Sequence, residues 1–182
     1  MNGYHMDIHI KNEIPISAKE LWQTLHTPEF DAFIAKEYEF KEYTELERQV
    51  SGNLIHRRVR ITTGTDLSYI PFGLAHKILG GNEIIYEEIQ DKYLDRFEMH
   101  WENKWIEPLS FKDKIQIFGV LRLIPIDEGR CDRIREMSIA IRMFGIGHIL
   151  ESMAAQQAKK TGKKFSKVVA KWKSENTRFR RS

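Results

Sequence analysis

The sequence predicts an α+β domain: a curved, seven-stranded antiparallel sheet, two short helices after the first strand, and one long C-terminal helix covering the concave side. Three observations carry this expectation. Apolar and polar residues alternate with a period of two over most of residues 6–143. From Ile146 the period changes to 3.6 and holds for roughly 28 residues, enough for a helix about 42 Å long. Turn signals such as Ser51-Gly52 and Asp127-Glu128-Gly129 divide the alternating stretches at hairpin spacing.

The first strand is expected over residues 4–13, with Met6, Ile8 and Ile10 on one face and Asp7, His9 and Lys11 on the other. Ser17, with Glu20 three residues later, reads as a capping box for a helix whose apolar stripe is Leu21, Trp22 and Leu25. Thr27-Pro28 starts a second helix over residues 29–36, carrying Phe30, Phe33 and Ile34. Residues 38–50 and 53–63 form a hairpin. Residues 64–81 then break the pattern, with Pro71 placed to begin a short helix that Gly80-Gly81 ends. Further strands are expected over 83–93, 94–106, 114–126 and 130–143. Six consecutive strands joined by turns make a meander, and only the last helix is long enough to cover its apolar face. That helix shows a stripe of Ile146, Leu150, Met153, Gln157, Thr161, Phe165, Val168 and Trp172, and Gly162 inside it predicts a kink or a break.

A chain of 182 residues suits one core, so residues 1–175 are expected to form a single domain and residues 176–182 a basic, flexible tail. With 41% hydrophobic, 30% charged and 11% aromatic residues, the composition excludes collagen-like, disordered and disulfide-scaffold classes. Cys131 is the single cysteine, so no disulfide forms within the chain, and a reducing cytoplasm is the expected location. The first residues lack the apolar stretch of a signal peptide, and no run of about 18 apolar residues is long enough to span a membrane. The net charge of +3 is unevenly spread: residues 156–182 hold ten Lys or Arg and one acid, Glu175. Either a solvated lysine face or attraction to an anionic partner accounts for that.

The element order, the opening IPISAKELWQTLHTPEF and the closing helix together resemble the START/Bet v 1-like superfamily of helix-grip domains, over residues 6–173. The stretches IPFGLAHKILGG, YEEIQDKYLDRFEMHWE and GIGHILESMAAQQAKKTGKKFSKVVAKW are similar to a branch related to lipid-transfer and polyketide-cyclase-like members. The resemblance implies binding of a hydrophobic small molecule or lipid between sheet and helix. It implies no fixed catalytic set, because one cavity serves transport, sensing and occasional chemistry in such folds.

Strand parity nominates the lining of that cavity. Phe97, Met99, Trp101 and Trp105 face inward if Glu98, His100 and Glu102 face water, and they either fill the core or line a pocket. Ile115, Ile117, Leu121 and Leu123 face inward from the next strand, with Gly119 leaving a gap among them. Gln157 and Thr161 interrupt the helix stripe with polar groups that meet a ligand, water or solvent. Parity also turns Arg57 and Glu42 inward, where they pair with each other or Arg57 takes a ligand carboxylate or phosphate. Phe72 and its apolar neighbours in 64–81 act as a packed edge, a lid over the cavity mouth, or a membrane contact.

Catalytic and cofactor patterns are missing from the sequence. It contains no HExxH, no Cys-His metal spacing and no GxSxG elbow, and the GIG at 145–147 is too short for a phosphate loop, so no cofactor is expected. The seven histidines and Cys131 read as surface or packing groups. Three functions remain in play. The first is a non-enzymatic carrier of a hydrophobic molecule. The second is a cyclase- or hydrolase-like enzyme using the inward polar groups. The third is a module that docks its basic helix transiently on an anionic membrane; nucleic acid fits least, because the lysines are not interleaved with exposed aromatics.

Overall fold

A computed structural model describes residues 4–64, 83–106, 114–142 and 147–179. The chain runs β1 (Tyr4–Ile14), α1 (Ala18–Thr24), α2 (Pro28–Tyr38), β2 (Glu42–Ser51), β3 (Leu54–Gly64), β4 (Glu83–Tyr93), β5 (Glu98–Trp105), β6 (Ile115–Asp127), β7 (Arg130–Ile141) and α3 (Gly147–Phe179). One seven-stranded sheet has the order β1-β7-β6-β5-β4-β3-β2, with every neighbouring pair antiparallel. β2 to β7 form the meander, and β1 closes against its last strand. The expected class, a helix-grip α+β fold with two short helices after the first strand, is the observed one.

Local chemistry sets the corners. Ser17 Oγ accepts from Glu20 N at 3.2 Å to cap α1, and Thr27 Oγ1 accepts from Phe30 N at 3.3 Å to cap α2, which has a proline in its first turn. Gly52 sits at φ +56 in the β2–β3 turn, a left-handed position with little cost for glycine. Asp127 Oδ1 accepts from Gly129 N at 2.9 Å and closes the β6–β7 turn.

α3 lies across the concave face, against β1 and β7. Its buried face is Glu151, Ala158, Gly162, Phe165, Val168 and Val169, with Ala154, Ala155, Thr161 and Trp172 half-buried beside it. Gln157 is exposed, so it is not part of the face that meets the sheet. Small residues explain the rotation: Gly162 is the point where the helix backbone rests on β1. A Cβ there would sit 2.7 Å from Asn12 Oδ1 and 3.1 Å from Ile10 Cγ2. The expected break at Gly162 is absent, and the helix continues to Phe179, into residues expected to be a loose tail. None of the described helices is long and apolar enough to cross a membrane.

Two further expectations are corrected. α2 extends to Tyr38, so β2 starts at Glu42, and its inward residues are Tyr43 and Glu45, opposite Ile61 and Val59. A bulge between Glu45 and Glu47 then brings Arg48 opposite Arg57. Glu42 therefore lies on the other face, beside Thr62, whose hydroxyl donates to it at 3.1 Å. Gly119 leaves no gap: its missing Cβ is what lets β6 and β7 approach, because an added methyl would strike the carbonyl oxygen of Glu136.

Candidate ligand site between sheet and helix

The concave side of the sheet has two unlike ends. At one, Met99, Leu121, Leu123 and Cys131 are closed off by Ile14, Ile16, Leu21 and Trp22, all buried, and Phe165 and Val169 of α3 belong to the same cluster. Toward the other end, Tyr86 and Glu88 of β4, Asn103 and Trp105 of β5 and Ile115 and Ile117 of β6 share the inward face. All six stay only half-buried. Several of these positions lie well inside the strands, where a filled core would bury them as it buries Val59 and Ile139, both at 0% exposure. The helix side explains the difference, because its described residues over this end are Ala154, Ala155 and Ala158, in place of the bulky Phe165, Val168 and Trp172 farther along. Alanine side chains reach less far toward the sheet than Phe165 or Trp172, and Ile115, Ile117, Ala154 and Ala155 pack at the margin of the buried cluster. β3, β5 and β7 end, and β4 and β6 begin, at this end.

The polar chemistry of the concave face is unusual, and its two arginines lie farther in, opposite Leu121 and Leu123. Arg133, 7% exposed, lies with its guanidinium 4.3 Å from the Phe165 ring centre, and that of Arg135 lies 4.6 Å from the Trp101 ring. Nε and Nη1 of Arg133, Nε of Arg135 and the indole nitrogens of Trp101 and Trp105 are buried without an acceptor. The amide oxygens of Asn12, Asn103 and Gln90 also lack partners. Burial first, and the neighbouring Arg135 second, push Arg133 down to about 9, which still leaves it charged at neutral pH. Burial lowers Arg135 and raises the phenol of Tyr86, whose ring lies tilted against Trp105 with 5.5 Å between centroids. Glu88 accepts from Gln90 Nε2 at 2.5 Å, and Tyr38 donates its hydroxyl to the Thr161 carbonyl at 3.2 Å.

A second buried polar group holds α1 and α2 on the sheet. Arg57, 1% exposed, is gripped by Asp31 of α2 through Nη2 and Nη1, while its Nε lies 2.6 Å from Glu45 Oε2. Its partner is thus Glu45 together with Asp31, and not Glu42, for the register reason above. Beside it Lys92 Nζ donates to the carbonyls of Trp22 and Leu25 at 2.6 and 2.8 Å, satisfying two acceptors at the end of α1. Burial, then Arg48 and Arg57, push Lys92 down to about 8 from its ordinary 10.5. An amine that holds its proton less tightly folded than unfolded destabilises the fold below about pH 8. That cost is relieved as pH rises toward 10.5. The phenols of Tyr43 and Tyr86, raised by burial, act oppositely at high pH, so the comparison is with Lys92→Met. Between pH 8 and 10 the unfolding free energy of the native protein should gain about 2 kcal/mol on that variant, read by urea titration. A constant difference would show that Lys92 titrates normally.

Of the residues nominated from the sequence, the sheet brings Phe97, Met99, Trp101, Trp105, Ile117 and Leu121 to the concave side: Met99, Trp101 and Leu121 buried, the others half-buried. Thr161 is half-buried on α3, and Arg57 is held by its carboxylates. Phe72 and the side chain of Met153 lie outside the described residues. Arg133, Arg135, Glu88, Gln90 and Asn103 were missed. Parity carried back from Met137, Ile139 and Ile141 along β7 points to the two arginines.

The outer face of the sheet carries an open groove of about 790 Å³, floored by Ile89, Phe118 and Val120 and rimmed by His9, Asp91, His100, Glu102 and Glu136. Several of these charges have partners there, as His56 with Asp91 at 2.7 Å and His100 with Glu98 at 3.0 Å. Cys131 is buried, and burial pushes its thiol up to about 11. Among the described residues no three His, Cys, Asp or Glu side chains converge as metal ligands.

No protein-family sequence model and no curated protein sequence matches the chain. Solved structures do. A START superfamily protein from Mycobacterium smegmatis superposes with TM-score 0.63 at 12% identity, covering 93% of this chain and 99% of that one. The Zhui aromatase/cyclase from Streptomyces sp. R1128 gives 0.61 at 12% identity, over 92% and 93%. Norcoclaurine synthase from Thalictrum flavum, in complex with dopamine and hydroxybenzaldehyde, gives 0.59 at 14% identity, over 93% and 88%. The chain has the START/Bet v 1-like fold.

Proposed function

We propose that this START/Bet v 1-like chain is a non-enzymatic carrier of a hydrophobic small molecule or lipid, held between the open end of the sheet and the alanine-lined part of α3. The single observation behind this reading is the set of inward residues, Ile115, Ile117 and Trp105 among them, that stays half-buried at the open end of the grip. Apolar surface left uncovered inside a domain is stabilised by an apolar guest, at about 25 cal/mol for each Å² removed from water. A protein of the same fold solved with two aromatic small molecules supports a guest of this size. Cytoplasmic residence suits the free Cys131 thiol. A transient contact between an anionic membrane and the exposed row Lys159, Lys163 and Lys167 suits a carrier that collects its cargo there.

An enzyme of the cyclase kind is the second reading, favoured by Glu88, Tyr86 and the two arginines around one space and by the aromatase/cyclase among the similar folds. Native mass spectrometry of gently purified protein should display a co-purifying apolar molecule. Fatty acids or aromatic compounds should also raise the melting temperature by several degrees. Recovery of the added compound unchanged supports a carrier, and its conversion supports an enzyme. A bare mass with no thermal response to any compound would contradict both.

A further inference from the structure

We infer that the guest is an amphiphile with an acidic head, a carboxylate or phosphate-type anion, seated on Arg133 and Arg135 with its apolar body toward Ile115, Ile117 and Trp105. This rests on the carrier reading and names the ligand class. Two arginines project from alternate positions of β7, on the same face, with their Cα atoms about 7 Å apart along the strand. The aromatic rings of Phe165 and Trp101 lie against the guanidinium groups. Three in-plane N–H positions, Nε and Nη1 of Arg133 and Nε of Arg135, point to no acceptor. A ring contact serves a guanidinium without satisfying its N–H groups, so these donors are free for an oxyanion. The indole N–H groups of Trp101 and Trp105, equally unpartnered, add two more donors.

Charge completes the case. Glu88 is the described inward carboxylate whose field reaches both arginines, and it forms no ion pair with either; its Oε1 is taken by Gln90. Two cations facing one anion leave one positive charge uncompensated, a costly state in a buried site. Water satisfies N–H groups but leaves that charge. One oxyanion satisfies both, and the planar fork of arginine matches the two oxygens of a carboxylate or phosphate. The orphan amides of Asn12, Asn103 and Gln90 remain for water or for a hydroxyl on the guest.

The test compares dodecanoate, dodecyl phosphate and dodecanol by displacement of the uncharged dye N-phenyl-1-naphthylamine from the full chain. The acid and phosphate forms should bind about ten- to a hundredfold tighter than the alcohol. In Arg133→Met and Arg135→Met that ratio should collapse to within about twofold, while Arg135→Lys should keep part of it. Circular dichroism reports which variants are folded, and the native-protein ratio decides even if one is not. Preference for dodecanoate identifies a free acid as the cargo type, and preference for dodecyl phosphate a phosphate headgroup. Dye and dodecanol binding with no preference for the anions would overturn the inference and leave the carrier reading standing. No binding of dye or amphiphile would overturn both.

Discussion

Gly119→Ala should cost the protein about 3 kcal/mol, an unusually large effect for one added methyl. Gly119 sits in the middle of β6, paired with Trp101 on one side and Met137 on the other. Its missing Cβ would press on the Glu136 carbonyl oxygen and lie 3.0 Å from Met137 Cα. These are backbone atoms, so no rotamer change relieves the contact and the β6–β7 ladder itself must part. Gly129→Ala is the matched control, since its Cβ meets nothing closer than Asp127 Oδ1 at 3.8 Å and should change stability by less than about 0.5 kcal/mol. Urea midpoints of the two variants decide the matter. Equal midpoints would mean that the strands are not pressed together at Gly119.

Arg57→Met should be nearly as damaging, by about 3 kcal/mol, because it strands Asp31 between helix and sheet with only the Tyr43 hydroxyl, 3.4 Å away, still near its carboxylate. The same change removes the anchor that fastens α2 to β3. Adding Asp31→Leu to Arg57→Met should recover most of the loss, since a pair of apolar side chains leaves no unpaired charge behind. The pair is therefore diagnosed by a double-mutant cycle in which the double variant is more stable than the Arg57 single. Additive losses would show that the two side chains do not interact. Arg57 is held on both sides, by Asp31 and by Glu45.

Most of the fold was legible because period and turn chemistry are local properties. The strands, the caps at Ser17 and Thr27 and the switch of period at the last helix all stand in the residues themselves. Two tertiary effects hid the rest. The bulge after Glu45 and the later start of β2 reversed a parity count, which moved Glu42 outward and Glu45 inward. On α3 the stripe was traced through large residues, yet the helix approaches β1 through Gly162 and Ala158, whose small size is what makes them contact positions. That rotation is why Gln157 faces solvent. In the site, the aromatic row from Phe97 to Trp105 was visible as alternation, whereas Arg133 and Arg135 were not singled out. Their burial is a consequence of β7 lying between β1 and β6 with α3 packed on β1 and β7, and strand order is not written in any single segment.

The most direct measurement is a proton–nitrogen correlation spectrum that resolves the four indole N–H signals while dodecanoate is added. Trp101 and Trp105 carry unpartnered N–H groups toward the interior, while Trp22 donates to the Tyr93 carbonyl at 3.2 Å and Trp172 packs between Phe30 and Phe33. If a guest occupies the space between sheet and helix, the signals of Trp101 and Trp105 shift in a saturable way and those of Trp22 and Trp172 stay in place. If all four stay in place at saturating dodecanoate, or only Trp22 and Trp172 respond, the interior holds no such guest.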